Sequence, residues 1–272
     1  MNQASLQNLL IDLPLGSVRY FATLASTNDL AARWAEAGAP DLSLVVADEQ
    51  TAGRGRLNRL WITLPGVALA FSLILKPAVK QEVPLPNDIL PYTALGALAT
   101  CDALNAALPP MLPAQIKWPN DVIASRRKLA GVLAEAHWHG EQLTSVILGI
   151  GINVAPPSVP PDEQLSYPAT CVEAVVDAPV DRWGLLHAVL EKLLFWQARL
   201  GTPEFVKAWG ARLAFRGEWV QVSIEGQPPQ DGQVLGLTAE GRLLLRDRLG
   251  ELHELHGGEL NVRPVSGVRS QE

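Results

Sequence analysis

Residues 116–154 read IKWPNDVIASRRKLAGVLAEAHWHGEQLTSVILGIGINV. Apolar character comes there in four short runs, at 116–118, 121–124, 130–137 and 143–150, with turn residues between them. Runs of that length and spacing predict a meander of neighbouring strands. Upstream, residues 89–108 carry a helical pattern rich in alanine and leucine, which predicts a deeply buried helix. Further strands are expected at 18–24, 43–47 and 67–75. Ser26-Thr27-Asn28-Asp29 offers capping chemistry for a helix over 30–37, closed by Gly38 and Pro40. Downstream, a proline-rich loop at 155–168 leads to two helices, near 182–200 and 203–213. After Arg216-Gly217 the pattern changes to short strands between glycines, at 219–224, 232–237, 242–246 and 252–256. Mixed but not strictly alternating elements make the main domain α+β, and the tail reads as a small all-β barrel. The expected division is 1–214 and 215–272.

The 272 residues are 48% hydrophobic, enough for a sizeable core without disulfide support. The longest uninterrupted apolar run, Val67 to Phe71, falls far short of the ~20 residues that span a bilayer. Met1 to Asp12 carries no basic residue and does not read as a secretory signal. Cys101 and Cys171 have no metal-ligand spacing, and a reducing cytoplasm fits them. The net charge of −6 argues against general affinity for nucleic acid. Six of the 22 cationic residues nevertheless gather in two patches, Arg54/Arg56/Arg59 and Arg126/Arg127/Lys128. An acidic chain that concentrates cations in two spots points to a small anionic ligand.

Three segments carry the chemistry. In residues 50–61, QTAGRGRLNRLW, two glycines free the backbone for close approach and the arginines supply forked donors for phosphate oxygens. Taken singly, such a loop also fits a surface turn with solvated arginines. In Lys117-Trp118-Pro119-Asn120-Asp121, followed by Lys128-Leu129-Ala130-Gly131, a tight turn joins two strands. An ordinary hairpin would look the same. In Leu148-Gly149-Ile150-Gly151-Ile152-Asn153, glycines within an apolar strand mark a close approach, by a ligand or by another strand.

Together and in this order, Ser-Thr-Asn, Gln-x-x-Gly-Arg-Gly-Arg-x-x-Arg-x-Trp, Lys-Trp-Pro-Asn-Asp, Lys-Leu-Ala-Gly and Gly-Ile-Asn-Val resemble the biotin–protein ligases. The resemblance runs from about Val18 to Arg263. It implies a mixed-sheet catalytic domain followed by an SH3-like barrel. The implied activity makes biotinyl-5'-AMP from biotin and ATP with Mg2+, then transfers biotin to a lysine of a biotin carboxyl carrier protein. Ser26, Thr27, Gln50 and Gly53 would bind the polar head of biotin, and Gly131, Val132, Gly149 and Ile150 would line its pocket. Arg54, Arg56 and Lys128 would surround the phosphates and carry the catalysis. Arg56, Arg59, Trp61, Asn120, Lys128 and Asn153 would hold the nucleotide, with Asp121 an indirect ligand of Mg2+. Biotin would also meet Arg54, Arg56 and Lys128 at its carboxylate.

Two departures stand out. The family carries glycine where this chain has Asn58, a residue that also tolerates the left-handed region. Some members carry an N-terminal helix-turn-helix, whereas about 17 residues precede the first strand here. The expectation is therefore a ligase without DNA binding, away from membranes, with a homodimer left open. The rivals are a lipoate or octanoate ligase of the same fold and a non-catalytic biotin or nucleotide sensor.

Overall fold

The computed structural model describes residues 1–56, 59–61, 63–76, 89–224, 228–255 and 260–264. A seven-stranded mixed sheet forms the larger part. Its strands are β1 (Ser17–Leu24), β2 (Ser43–Gln50), β3 (Ala68–Leu75), β4 (Gln115–Lys117), β5 (Asp121–Ala124), β6 (Arg127–His139) and β7 (Gln142–Asn153). They lie in the order β1-β2-β3-β7-β6-β5-β4. Only β1 and β2 run parallel, because α2 (Thr27–Glu36) crosses between them; every other pair is antiparallel. Ser26 caps α2 by accepting from the Asp29 amide at 3.3 Å, so the helix starts three residues earlier than its apolar pattern suggests.

The helix α3 (Leu90–Ala107) is buried nearly all round, packed between β6/β7 and α5 (Arg182–Gln197). Gly96 lets it sit close to the sheet: a Cβ there would lie 2.7 Å from Val132 Cγ1 and 3.1 Å from Leu148 Cδ1. Leu95, Leu98 and Leu104 are fully buried along it, each contributing ~1.5–3 kcal/mol by removal from water. An N-terminal helix, α1 (Gln3–Leu9), was not predicted; its apolar face amounts to little more than Leu6 and Leu10. The Gln3 amide donates to Val18 O and accepts from Tyr20 N, both at 2.8 Å, and so occupies part of the free edge of β1.

Beyond α4 (Val172–Val176) and α6 (Pro203–Ala211), five strands form an antiparallel sheet. These are β8 (Trp219–Ile224), β9 (Gln230–Leu237), β10 (Leu243–Arg246), β11 (Leu252–Leu255) and β12 (Leu260–Pro264), in the order β11-β10-β9-β8-β12. One hydrophobic core runs from the large sheet into Val220, Val222, Val234 and Leu243 of the small one. Trp118 Nε1 donates to Gly241 O at 3.1 Å across the same junction. Among the described residues, no helix is long and apolar enough to cross a membrane.

Candidate functional site: two abutting cavities on the large sheet

Strands β6 and β7 place Gly131 opposite Gly151 and Leu133 opposite Gly149, which leaves a trough where three of these four positions have no side chain. Neither a second strand nor open space fills it. A Cβ on Gly149 would fall inside contact distance of Asn28 Oδ1, and one on Gly151 would fall inside the Trp61 indole. These glycines exist because α2 and the arginine–glycine segment each lower a side chain onto the sheet.

At one end of the trough the backbone N of Thr27 donates to Gln50 Oε1 at 2.8 Å, and Thr27 Oγ1 lies 3.0 Å from the same oxygen. Gln50 Nε2 donates to Thr63 Oγ1 at 3.2 Å. Ser26, Thr27 and Asn28 are all buried. Capping and site-building coincide: Ser26 holds the helix end while its neighbour faces the trough.

The segment after β2 folds back on itself. Gly55 N donates to Arg59 O at 2.7 Å and Trp61 N to Gly53 O at 2.9 Å, and Gly53 has no room for a Cβ beside Trp61 O. Asn58 lies outside the described residues. The three arginines part company. Arg54 Nη2 pairs with Asp29 at 2.6 Å and Arg54 Nη1 with Glu135 at 2.9 Å. Arg56 Nη1 donates to Asn120 Oδ1 at 2.8 Å, and burial makes its charge costlier to hold. Arg59 faces a larger cavity beyond.

Lys128 is delivered by an irregularity that sequence reasoning missed. Ser125 and Arg126 form a two-residue turn with φ of 48° and 60°, conformations usually given to Asn-Gly. The β5–β6 register then shifts between Val122 and Ile123. Such a bulge re-aims side chains. Here Lys128 Nζ lands 2.7 Å from Asp121 Oδ1, with Lys117 Nζ 3.9 Å from the other oxygen and Asn120 Nδ2 3.2 Å from the first. Burial alone would raise the Asp121 pKa, but Lys128, Lys117 and Arg56 together hold it below the usual carboxylate value. A depressed folded-state pKa contributes stability above the ordinary Asp range, and that contribution is lost as pH falls through the depressed value. Asp121→Asn should therefore lower the melting temperature at neutral pH, and the gap to wild type should narrow below about pH 4. Thermal melts across pH would check this; a constant gap would contradict it.

Two cavities meet here. A narrow one of about 50 Å³ is lined by Ser26, Thr27, Asn28, Gln50, Arg54 and the glycine trough, including Gly131, Val132, Gly149 and Ile150. The larger, about 490 Å³, is lined by Arg59, Lys117, Asp121, Asn153 and Tyr167 among others. Gly55, Arg56, Trp61, Asn120 and Lys128 line both and form the passage between them. Asn153 is anchored by donating to Thr170 O at 3.1 Å. Of the expected residues, Gly53 reaches neither cavity and Arg54 reaches only the narrow one. Asn28, Ser72, Lys117, Gly151 and Tyr167 belong to this region and had been given no role; Asn28, Lys117 and Gly151 lie within the motifs singled out above. The Ser-Thr-Asn and Gly-Ile-Asn-Val motifs held signals for Asn28 and Gly151; nothing local marked Ser72 or Tyr167.

A model of the biotin/lipoate A/B protein ligase family matches residues 20–153, the segment that lines the narrow cavity and supplies the passage and part of the larger one. The chain belongs to that family. A biotin–[acetyl-CoA-carboxylase] ligase of Paracoccus denitrificans is 36% identical over 219 residues, covering 78% of this chain and 88% of the relative. The bifunctional ligase/repressor BirA of Bacillus subtilis is 38% identical over 172 residues, 63% of this chain; the match spans only 50% of that relative. Among solved structures, biotin protein ligase from Aquifex aeolicus in complex with biotin and ATP aligns with a TM-score of 0.75 at 29% identity, covering 92% of this chain and 99% of that one.

Proposed function

We propose that this chain is a biotin–protein ligase. Biotin's carboxylate attacks the α-phosphorus of ATP and pyrophosphate leaves. The ε-amine of an acceptor lysine then attacks the acyl carbon of biotinyl-5'-AMP and AMP leaves. The observation that carries this reading is the passage: Lys128 and Arg56 stand where the narrow slot opens into the large cavity. Two anions must meet there, and fixed cations at that point offset their repulsion and stabilise charge building on the phosphate.

The slot supplies hydrogen-bond partners at the buried Ser26 and Thr27 and the half-buried Gln50 for the polar head of biotin, over the backbone of the glycine trough. The Val132 side chain, and with it that of Ile150 opposite, lies on the other face of the sheet toward α3. Arg54, Gly55, Arg56 and Trp61 of the arginine–glycine segment line the slot and would close over biotin bound there. The large cavity is of a size that suits a nucleotide, with Trp61 and Asn153 toward the base and Arg56, Arg59, Asn120 and Lys128 toward the phosphates. Arg54, held by Asp29 and Glu135, serves the slot rather than the phosphates. Asp121 is already engaged by two lysines and an amide, an arrangement that does not fit direct coordination of Mg2+. Asp121 fixes Lys128 in the passage, and any part it has toward Mg2+ would be indirect.

The acceptor in this reading is a biotin carboxyl carrier protein. Residues 1–214 form the catalytic domain, and the five-stranded C-terminal sheet, within 215–272, is an SH3-like barrel. The buried thiols of Cys101 and Cys171 and the use of ATP suit a cytoplasmic enzyme. Incubation with labelled biotin, MgATP and a carrier domain should label one carrier lysine. Transfer of lipoate or octanoate in place of biotin would overturn the biotin assignment, and biotin binding without transfer would favour a sensor.

A further inference from the structure

Strand β5 is four residues long, and the turns at both of its ends are tied to the C-terminal sheet. Before it, Trp118 Nε1 donates to Gly241 O at 3.1 Å. After it, Arg126 Nη2 donates to both carboxylate oxygens of Glu218, at 3.0 and 2.9 Å, and the guanidinium carbon lies 5.7 Å from the Phe215 ring centroid. Glu218 is itself fixed. Its N–H donates to Phe215 O and its carbonyl accepts from Val234 N, both at 2.9 Å. The turn held in this way is Ser125-Arg126, with φ of 48° and 60°. Glycine or asparagine takes those angles at little cost, whereas serine and arginine are strained there.

That turn decides which way Lys128 points. Val122 pairs with Ala130 but Ile123 pairs with Lys128, so Leu129 is the extra residue of the bulge. Leu129 is fully buried, and Lys128 shares the trough face with Gly131, where a Cβ would lie 3.1 Å from Lys128 Nζ. A strand without the bulge would pair Ile123 with Leu129 and widen the turn to 125–127, which relieves the strain. Lys128 would then take the face of Ala130 and Val132, toward α3 and away from Asp121. The contact with Glu218 favours the tight turn, because it holds the Arg126 guanidinium at the tip. We propose that Glu218, acting through Arg126, is a positioning residue for Lys128, and that the C-terminal sheet braces the strained turn that keeps this ammonium in the passage. The inference rests on the biotin-ligase reading and adds to it a task for that sheet.

Single-turnover formation of biotinyl-5'-AMP from biotin and MgATP tests this on the full chain. Glu218→Gln and Arg126→Ala should each lower the rate constant by about three- to fivefold, the scale of one exposed ion pair. The steady-state KM for biotin and for ATP should stay within about twofold of wild type, because neither cavity is touched. Ser125→Asn combined with Arg126→Gly also lacks the tie, but its residues accept left-handed φ. That double variant should keep the wild-type rate, which a general loss of stability would not allow. Ser125 and Arg126 are exposed and Glu218 is half-buried, so these changes leave the core intact. Wild-type rates in both single variants would overturn the proposal, and so would a double variant as slow as Arg126→Ala. The ligase reading survives either result, since the wild-type chain still forms the adenylate. A wild-type chain that forms none from biotin would overturn both.

Discussion

Lys128→Ala is expected to slow adenylate formation by about 10²–10³-fold, or roughly 2.7–4 kcal/mol of transition-state stabilisation, while changing biotin affinity by only a few fold. The asymmetry follows from position. Lys128 Nζ sits in the passage, 2.7 Å from Asp121 Oδ1, whereas the polar head of biotin in this reading meets Ser26, Thr27 and Gln50. Charge on the transferring phosphate grows in the transition state, and that growth is what a fixed ammonium rewards. Single-turnover formation of the adenylate, set beside equilibrium biotin binding, separates the two effects. Equal losses in both would show that Lys128 only holds the passage in shape.

Gly149→Ala is expected to reduce biotin binding by well over tenfold with a smaller effect on nucleotide binding. The added methyl would enter the space of Asn28 Oδ1, and Asn28 has nowhere to go. Its amide nitrogen is held by Glu135 and its oxygen by Ser72, at 2.6 Å each. Displacing it breaks a buried polar chain, which costs on the order of 1–3 kcal/mol for each group left unpaired. A lowered melting temperature should accompany the loss of binding. Isothermal titration of biotin and of a non-hydrolysable ATP analogue would check the split. Undiminished biotin affinity would mean that Asn28 is free to move.

Much of the scaffold was legible because it rests on local patterning. The strands of the large sheet, the buried α3 and the capped α2 all announce themselves through apolar period and cap residues. What was not legible rests on long-range pairing. Arg54 looks like a phosphate ligand within its own loop, and only the approach of Asp29 and Glu135 occupies it. Glu135 and Asn28 are 107 positions apart, and their contact exists only because α2 lies over β2, β3 and β7, with β6 next to β7 in the sheet. The turn at Ser125-Arg126 contains no glycine or asparagine, so nothing local predicted that the register would shift and aim Lys128 at Asp121. The helix α1 was missed because two buried leucines make too weak a period to read.

The central claim is that the passage between the two cavities joins a carboxylate to the α-phosphate of ATP. Biotin-dependent exchange of labelled pyrophosphate into ATP reports that step without any acceptor protein. Rapid exchange that needs biotin and collapses in Lys128→Ala is the predicted result. Exchange that is absent with biotin, or that lipoate supports and biotin does not, would contradict it.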